Sequence, residues 1–285
     1  MTEVRSIKQI LDTQDVMMGD VAVGQPLPTS KIKQISPFLL LHHVGPIEIV
    51  PGENPMDIGA HPHRGFAPVT FVYAGAVAHS DSLGNERIVS SGGVQWMSAG
   101  KGIVHAESVG EELVKNGGAY EMIQLWINLP KHLKVSPPSY QPFDASEIPY
   151  YQGEQNDKKL NVICGSFKGL KGPVEHPTEI TAYTLYMDPG ASLSISTNTD
   201  WNVLLYQLGG YSEVNNGTLK DRQLAYFNFD GTELELKAHA PSRFLLVSAP
   251  PINEPLAQYG PFVMNRPEEL QQAIDDYQSG KMGFL

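Results

Sequence analysis

Short apolar runs, each ended by glycine, proline, aspartate or asparagine, follow one another along most of this chain. Residues 69–73 (VTFVY) precede Gly75, and residues 122–127 (MIQLWI) precede Pro130. The sequence holds 27 glycines and 22 prolines, which many turns between short strands need and long helices do not. The pattern predicts an all-β fold, either a sandwich or a barrel.

A second set of such runs begins after residue 160 and echoes the first. Gly75 aligns with Gly209, 134 residues later, and Pro130 aligns with Pro250, 120 residues later. A duplicated β domain with loops of unequal length explains both offsets. The 285 residues are also enough for two compact domains.

The predicted joint between the two domains lies at residues 131–160. Within it, residues 135–142 (VSPPSYQP) cannot form a helix and cannot pair fully as a strand, because proline lacks the amide donor. We therefore predict a first domain over residues 1–135 and a second over residues 136–285.

One helix is predicted, near the end of the second domain. Asn265 is its predicted N-cap, Pro267 lies in its first turn, and the two glutamates that follow favour the positive end of the helix dipole. Apolar residues then recur at helical spacing up to Gly280, a typical stop signal.

Acidic residues outnumber basic ones. The chain has 20 Lys and Arg against 31 Asp and Glu, a formal net charge of −11 and a pI of about 5.2. The basic residues are scattered, whereas a sequence-independent hold on phosphates needs a dense basic patch. This composition argues against direct nucleic-acid binding and leaves a protein partner open.

Three features of the sequence bear on its location in the cell. Residues 1–20 lack the basic and apolar regions of a signal peptide. No window of about 20 residues is apolar enough to cross a bilayer. The single cysteine, Cys164, excludes an intrachain disulfide and stands in an apolar run typical of a buried thiol. We expect a soluble cytoplasmic protein with no membrane association.

Two pairs of polar residues carry the chemistry of the chain: His61-Pro62-His63 and His105-Ala106-Glu107. Each pair has i, i+2 spacing, and in a β-strand residues two apart point to the same face. On two neighbouring strands, the four side chains converge into one pocket. Three imidazoles and one carboxylate suit a divalent transition metal such as iron and leave positions for solvent or substrate.

The internal repeat limits the number of such sites. Carried forward from the first half, His61 and His63 fall on Ile195 and Thr197, and the second half has no His-x-His sequence. If both halves are barrels, only the first can hold a metal in this way.

Three stretches and the C-terminal tail resemble the signature of the pirin family, and the match spans nearly the whole chain. They are residues 61–66 (HPHRGF), 79–84 (HSDSLG), 94–107 (VQWMSAGKGIVHAE) and 258–265 (QYGPFVMN). Pirins belong to the cupin superfamily. The resemblance therefore implies a bicupin, two tandem cupin-type β-barrels, followed here by the short C-terminal helix.

The resemblance also implies a metal and its ligands: one Fe(II) per chain in the first barrel, held by His61, His63, His105 and Glu107. The same four ligands accept other divalent transition metals. One position departs from the general cupin pattern, which places a glutamate four residues after the second histidine, where this chain has Ala67. We expect this change to alter the polarity of the pocket or the hydrogen bonding of the ligand imidazoles.

The activity that the resemblance implies is that of a quercetin 2,3-dioxygenase, a metal-dependent enzyme acting on a flavonol or a similar enolic aromatic with O₂. A divalent metal lowers the pKa of a bound hydroxyl and orients it. Glu107 would then be the general base that takes the flavonol proton.

The alternative function is a non-enzymatic regulator, because pirins are also linked to transcriptional co-regulation and to the control of partner proteins. In that case a change between Fe(II) and Fe(III) alters the charge of the site and biases a nearby surface or loop, which makes the chain a metal-dependent redox sensor. The acidic composition favours a protein partner over DNA.

Aromatic and histidine side chains near the motifs leave alternatives open. Phe66, Trp96 and Met97 either line an aromatic pocket or belong to the core. Of the adjacent His42 and His43, one can face the pocket, since neighbours in a strand point to opposite faces.

Four polar or charged residues near the motifs have structural interpretations, and Arg64 and Lys101 also have a functional one. His79 and Asp81 share a strand face and are expected to bond to each other on the loop side, without a catalytic role. Arg64 either pairs with a structural carboxylate or contacts the substrate. Lys101 either steers an anionic substrate or is a solvated turn residue.

Overall fold

The protein is built almost entirely of β-strands. The computed structural model describes residues 3–285, with 55% strand and 8% helix. The elements of the first half are β1 (Ile7–Asp12), β2 (Gln14–Met18), β3 (Val21–Leu27), β4 (Phe38–Ile49), β5 (Ile58–His63), β6 (Phe66–Ala74), β7 (Ala76–Asp81), β8 (Glu86–Ser90), β9 (Val94–Ser98), β10 (Ile103–Val109), α1 (Glu111–Asn116), β11 (Gly118–Asn128) and β12 (Ser139–Phe143).

The second half continues the same pattern. Its elements are β13 (Tyr150–Gln152), β14 (Lys158–Cys164), β15 (Ser166–Phe167), β16 (Leu170–Lys171), β17 (Thr181–Met187), β18 (Ser192–Ser196), β19 (Asn202–Gly209), β20 (Tyr211–Val214), β21 (Gly217–Lys220), β22 (Gln223–Phe227), β23 (Glu233–Ala238), β24 (Ser242–Ala249), β25 (Ala257–Tyr259), β26 (Phe262–Met264) and α2 (Pro267–Gln278). Two 3-10 turns occupy Lys131–Leu133 and Ala145–Glu147. None of the helices in this description is long and apolar enough to cross a membrane.

Two compact units divide the chain. The histidine-pair unit comprises Asp15–Gln25, Phe38–Ser146 and Ile252–Leu285, and it contains both polar pairs. The companion unit comprises the described residues up to Gln14 together with Pro26–Pro37 and Glu147–Pro251. The predicted boundary at residue 135 therefore does not describe the ends of the chain. The described N-terminal residues up to Gln14 belong to the companion unit, and the C-terminal segment from Ile252 belongs to the histidine-pair unit.

Strand pairing and apolar packing explain this exchange of chain ends. Near the N-terminus, β1 pairs antiparallel with β22 of the companion unit, with Ile10 opposite Ala225. Near the C-terminus, α2 buries Ala273 in a cluster with Val104, Phe262 and Met282 of the histidine-pair unit. Both contacts join residues far apart in sequence, so no local composition shift marks them.

The histidine-pair unit is a closed sandwich of two antiparallel sheets. A seven-stranded sheet has the order β12-β9-β6-β11-β4-β3-β2, and a four-stranded sheet has the order β5-β10-β7-β8. Apolar side chains from both sheets share one core, in which the contributors include Val44, Val72, Met122, Val77, Val89 and Val109. Burial of this apolar surface is the main force that holds the two sheets together.

The companion unit repeats this architecture. Its seven-stranded sheet has the order β1-β22-β19-β24-β17-β14-β13, and its four-stranded sheet has the order β18-β23-β20-β21. Strands β18 and β23 take the place of β5 and β10, and their inward residues are apolar: Leu193, Ile195, Leu234 and Leu236. The prediction of an all-β bicupin with a short C-terminal helix is confirmed.

The C-terminal helix begins one residue later than the predicted cap indicates. Arg266 is the N-cap and Pro267 is the first helical residue. The Glu269 carboxylate accepts hydrogen bonds from the backbone N–H groups of Asn265 and Arg266, both at 3.0 Å. The carboxylate thus satisfies two backbone N–H groups at the start of the helix, where no intrahelical acceptor is available.

The segment before this helix is bound to the end of β5. The backbone N–H of Val263 donates to the Arg64 carbonyl at 3.0 Å, and a Cβ at Gly65 would lie 1.9 Å from the Val263 oxygen, so this position excludes side chains. The Lys134 ammonium donates to the carbonyls of Gly65 and Val263 at 2.6 and 3.0 Å and to Asn128 Oδ1 at 2.5 Å. Burial lowers the pKa of Lys134 to about 7. The three acceptors oppose this effect, because only the protonated ammonium supplies three hydrogen-bond donors.

Arg5 is fully buried in the companion unit, where its guanidinium donates hydrogen bonds to oxygen atoms of neighbouring loops. It donates to one side-chain oxygen, Thr197 Oγ1, at 3.3 Å. It also donates, at 2.5 to 3.3 Å, to the backbone carbonyls of Asn198, Thr199, Trp201 and Asn228. Planar guanidinium donors suit such a set of fixed acceptors.

The substitution Arg5→Met tests this contact. Methionine keeps the apolar stem but removes the donor of several partly buried hydrogen bonds, and each such loss costs about 1–3 kcal/mol. We expect the free energy of unfolding to fall by about 3 kcal/mol in chemical denaturation. Lys8→Met, on the exposed side of β1, is the control and should change it by about 0.5 kcal/mol or less. Equal effects of the two substitutions would show that the guanidinium contacts do not stabilise the unit.

Candidate metal centre

Three adjacent strands bring the polar residues together. In the β5–β10 ladder His61 lies opposite His105, and in the β10–β7 ladder Glu107 lies opposite His79. Residues opposite each other in an antiparallel ladder share a face, as do residues two apart in one strand. Both predicted pairs therefore point from the four-stranded sheet into the interior of the sandwich.

His61, His63 and His105 form the centre of the candidate site. Their ring centroids lie 4.8 Å (His61–His63), 4.3 Å (His61–His105) and 4.8 Å (His63–His105) apart. One ring nitrogen from each lies within 4.8 Å of the others. His63 and His105 are buried, with exposures of 3% and 1%, and His61 is half-buried. The three imidazoles can thus reach one ion.

The free atoms of these imidazoles fit a metal. Among the residues that the structure describes, no hydrogen-bond partner exists for His63 Nδ1 or His105 Nε2, although both atoms are buried. His61 Nδ1 bonds the Gly59 carbonyl at 2.8 Å, which leaves its Nε2 for another ligand. A buried nitrogen without a partner costs free energy, and coordination would remove that cost.

Electrostatics keep two of these rings in the form that binds metals. Burial, and secondarily the neighbouring His61, lower the pKa of His63 to about 3. Burial also holds the pKa of His105 well below its usual value, with smaller contributions from the nearby histidines. Both imidazoles are therefore neutral near pH 7, with a lone pair available for a cation.

Glu107 lies with His105 and His79, whose ligand atoms are within 4.8 Å of one another, and His105 belongs to both groups. The Glu107 carboxylate is oriented by donors on the seven-stranded sheet: Gln124 Nε2 at 2.8 Å and Thr70 Oγ1 at 3.4 Å. Trp126 Nε1 in turn donates to Gln124 Oε1 at 3.1 Å. The structure thus brings the three predicted histidines together and places the predicted carboxylate beside one of them.

A row of polar side chains crosses the inner face of the seven-stranded sheet next to Glu107. Gln124 lies opposite Thr70 on one side and opposite His42 on the other, and Thr70 lies opposite Gln95. His42 Nε2 also contacts Gln25 Oε1 at 2.9 Å, and burial lowers the pKa of His42 to about 4. Gln95 is 3% exposed, and its Nε2 has no partner among residues 3–285.

Sequence reasoning missed most of this row. Thr70, Gln95 and Gln124 each stand inside an apolar run, at a position where strand alternation puts the side chain inside. A polar residue at such a position was the available signal, since buried polar groups need partners. His42 is the member of the adjacent histidine pair that faces this row, whereas His43 pairs with Glu121 at 3.1 Å in the core.

Aromatic rings form one wall of the site. Phe66 and Trp126 lie 4.3 Å apart by ring centroids, and their distances to the His63 ring are 5.0 and 5.4 Å. Phe66 is fully buried in a core cluster with Leu39 and Val263, so it is a core residue that also lies beside His63. Trp96 is a core residue, and Met97 packs in a buried cluster with Ile103.

His79 and Asp81 form the predicted bond, with Nε2 and Oδ2 3.1 Å apart. They lie in the buried interior beside His105 rather than on the loop side, with exposures of 4% and 2%. Their position on β7, opposite β10, is the physical reason for this difference.

The remaining predicted positions have structural contacts. Arg64 pairs with Asp276 at 2.9 Å, and its Nε donates to the carbonyl of the exposed Lys101 at 2.6 Å. Ala67 is fully buried and alternates with Thr70, so it lies on the face of β6 away from Glu107. In this register a glutamate at Ala67 would not point at the site.

Comparisons with known proteins agree with this architecture. The family model described as Pirin matches residues 20–127, and that described as Pirin C-terminal cupin domain matches residues 182–283. A Pseudomonas aeruginosa protein named "Putative quercetin 2,3-dioxygenase" is 36% identical over 249 residues, which cover 87% of each chain. "Pirin-like protein 2" of Arabidopsis thaliana is 36% identical over 276 residues, covering 93% of this chain and 82% of the relative.

Solved structures show the same fold. The crystal structure of quercetin 2,3-dioxygenase from Acinetobacter baumannii superposes with a TM-score of 0.93 at 33% identity, covering 99% of both chains. Bacterial pirin YhhW of Escherichia coli, solved in complex with nickel(II), has a TM-score of 0.66 at 20% identity and covers 88% of this chain and 100% of its own. This chain therefore belongs to the pirin family of metal-binding cupin proteins.

Proposed function

We propose that this protein is an iron-dependent dioxygenase of the quercetin 2,3-dioxygenase type, acting on a flavonol or a similar enolic aromatic. The observation that carries the proposal is the convergence of three imidazoles beside an oriented carboxylate, two of the imidazoles having a buried nitrogen that no group of residues 3–285 satisfies. The names of the Pseudomonas aeruginosa relative and the Acinetobacter baumannii structure support the same reaction.

The proposed ligands are His61, His63, His105 and Glu107, and the proposed cofactor is one Fe(II) per chain. When bound, the iron supplies Lewis-acid polarisation of an enol hydroxyl and one-electron chemistry toward O₂. The same donor set accepts other divalent transition metals, and the Escherichia coli neighbour was solved with nickel(II). The identity of the metal is therefore part of the test.

The protein's own side chains orient the substrate. Trp126, half-buried next to His63, offers a flat apolar surface suited to stacking on a planar aromatic ring, and the fully buried Phe66 packs against it. The free Nε2 donor of Gln95 lies in the polar row and can bind a substrate oxygen. A flavonol presents an aromatic plane together with several oxygens, so it matches both surfaces.

Glu107 is the proposed general base. Its two oxygens accept from Thr70 and Gln124, which hold the carboxylate in one orientation toward the interior. From that position it can take the proton of an enol hydroxyl and hold it. Donors on both oxygens fix where the proton arrives, which is the positional requirement of general base catalysis.

The proposed partners are the small aromatic substrate and O₂, without nucleic acid, because the net charge is −11. The proposed compartment is the cytoplasm, since the one cysteine, Cys164, is a buried free thiol. Burial raises the pKa of this thiol to about 11, which makes it unreactive near pH 7.

Aerobic assay with quercetin tests the proposal. The protein is purified without metal, loaded with Fe(II) or, in parallel, with Ni(II), and mixed with quercetin while O₂ uptake and carbon monoxide release are followed. We expect metal-dependent turnover with carbon monoxide as a product and no turnover by the metal-free protein. Failure of the fully loaded protein to turn over would contradict the oxygenase and favour the redox-sensing regulator.

The substitution Glu107→Gln tests the general base. Glutamine keeps the size of the side chain and removes the proton acceptor, so kcat should fall by about 10²–10⁴-fold. The measurement is kcat at matched metal content, determined by elemental analysis of each sample. Glu111→Gln, at the exposed start of α1, is the control and should retain full activity. A Glu107→Gln protein with full metal and unchanged kcat would assign the base to another group.

A further inference from the structure

A chain of three buried side chains leads from β7 to the candidate metal centre. Asp81 Oδ2 lies 3.1 Å from His79 Nε2, and His79 Nδ1 lies 3.4 Å from His105 Nδ1. The exposures of the three residues are 2%, 4% and 1%. The chain ends at His105 Nε2, a buried atom that has no partner in the described residues.

The donors and acceptors of this chain can be assigned from chemistry alone. An ionised carboxylate only accepts, so His79 Nε2 must carry the hydrogen that Asp81 receives. In a neutral His79 the Nδ1 atom is then an acceptor, and the hydrogen between the two rings belongs to His105 Nδ1. The lone pair of His105 is consequently on Nε2, the buried atom for which residues 3–285 offer no hydrogen-bond partner.

We propose that His79 and Asp81 are positioning residues that hold His105 in the tautomer and orientation needed to bind the metal. The inference rests on the metal site of the proposed function but not on its reaction. Ligand histidines usually donate their second N–H to a carboxylate or a carbonyl, which fixes the ring. Here a second imidazole stands between the ligand and the carboxylate.

The outer members of the chain are themselves held rigidly. Asp81 Oδ1 accepts from the backbone N–H of Leu83 at 2.9 Å and from Asn85 Nδ2 at 3.0 Å. The Tyr140 ring stacks on His79, with centroids 4.0 Å apart and planes 5° from parallel. Because Asp81 and the His79 ring both have fixed neighbours, the hydrogen bond between His79 and His105 can hold the His105 ring in one orientation.

The same geometry argues against His79 as a ligand of its own. Its Nε2 is used by Asp81 and its Nδ1 is used by His105. The ligand atoms of His79, His105 and Glu107 are close enough to hold an ion, but such an ion would have to break one of these contacts. A positioning role keeps both.

Two substitutions at His79 separate these roles. His79→Phe keeps a ring against Tyr140 and removes both nitrogens, whereas His79→Asn places an amide oxygen near the former Nδ1 and can still accept from His105. His176→Phe is the matched control, since His176 is a largely buried histidine of the companion unit and its Nδ1 bonds Thr178 rather than a proposed ligand. Thermal unfolding of each metal-free protein shows whether it folds.

Metal affinity and the Co(II) spectrum are the readouts. Competition with a chelator for Zn(II) should show about 10- to 100-fold weaker binding in His79→Phe, recovery toward wild type in His79→Asn, and no change in His176→Phe. The visible bands of the Co(II)-loaded His79→Phe protein should shift, because the ligand field of His105 changes. Unchanged affinity and spectrum in His79→Phe would overturn the proposal. Loss of binding as complete as in His105→Ala would make His79 a direct ligand and would also overturn it.

Nitrogen-15 NMR of the Zn(II)-loaded protein tests the tautomers themselves. Two-bond correlations should show the hydrogen of His105 on Nδ1 and that of His79 on Nε2, and the opposite assignment at either ring would contradict the proposal. These readouts use no substrate. A protein that binds metal as described but does not turn over quercetin would therefore refute the proposed reaction and leave the positioning role intact.

Discussion

The antiparallel ladder of β5, β10 and β7 is the constraint on which the candidate site depends. Its register sets His61 opposite His105 and Glu107 opposite His79, and the period of two turns these side chains inward together. A slip of one residue would turn every one of them to the outer face. The apolar core beneath the site resists such a slip, because the same slip would expose Val77 of β7 and Val109 of β10. The metal-binding chemistry and the stability of the unit thus share one register.

The two barrels show how one fold carries a site in one copy and a plain core in the other. Where the first barrel has imidazoles on β5 and β10, the second has Leu193, Ile195, Leu234 and Leu236 on β18 and β23. These apolar side chains fill the interior and need no polar partners. In the first barrel, the described residues offer no hydrogen-bond partner to two buried ring nitrogens of the candidate site, His63 Nδ1 and His105 Nε2.

Much of this arrangement could be predicted from the sequence, because its signals are local. Alternation within short strands was enough to put His61 with His63 and His105 with Glu107 on common faces. The family motifs then added the barrel and the metal. What could not be predicted depends on pairing between distant segments. Local patterns gave no sign that β1 belongs to the companion unit or that α2 belongs to the histidine-pair unit, so the predicted boundary at residue 135 missed both chain ends.

The same limit explains the missed side chains. Thr70, Gln95 and Gln124 are ordinary polar residues in their own strands, and they become a row only when β6, β9 and β11 are aligned. Lys134 is one of 20 basic residues in the sequence, and its burial depends on carbonyls that Gly65 and Val263 bring from far apart. The bond between His79 and Asp81 was predictable from spacing, but its contact with His105 required the β7–β10 register.

We propose above that His61, His63, His105 and Glu107 hold one divalent metal in the first barrel. Anomalous diffraction from crystals of the Fe(II)-reconstituted protein, measured on both sides of the iron absorption edge, tests it most directly. We expect one iron peak per chain, within coordination distance of three ring nitrogens and a Glu107 oxygen. An iron peak in the companion unit, or one that contacts His79 in place of His61 and His63, would contradict it.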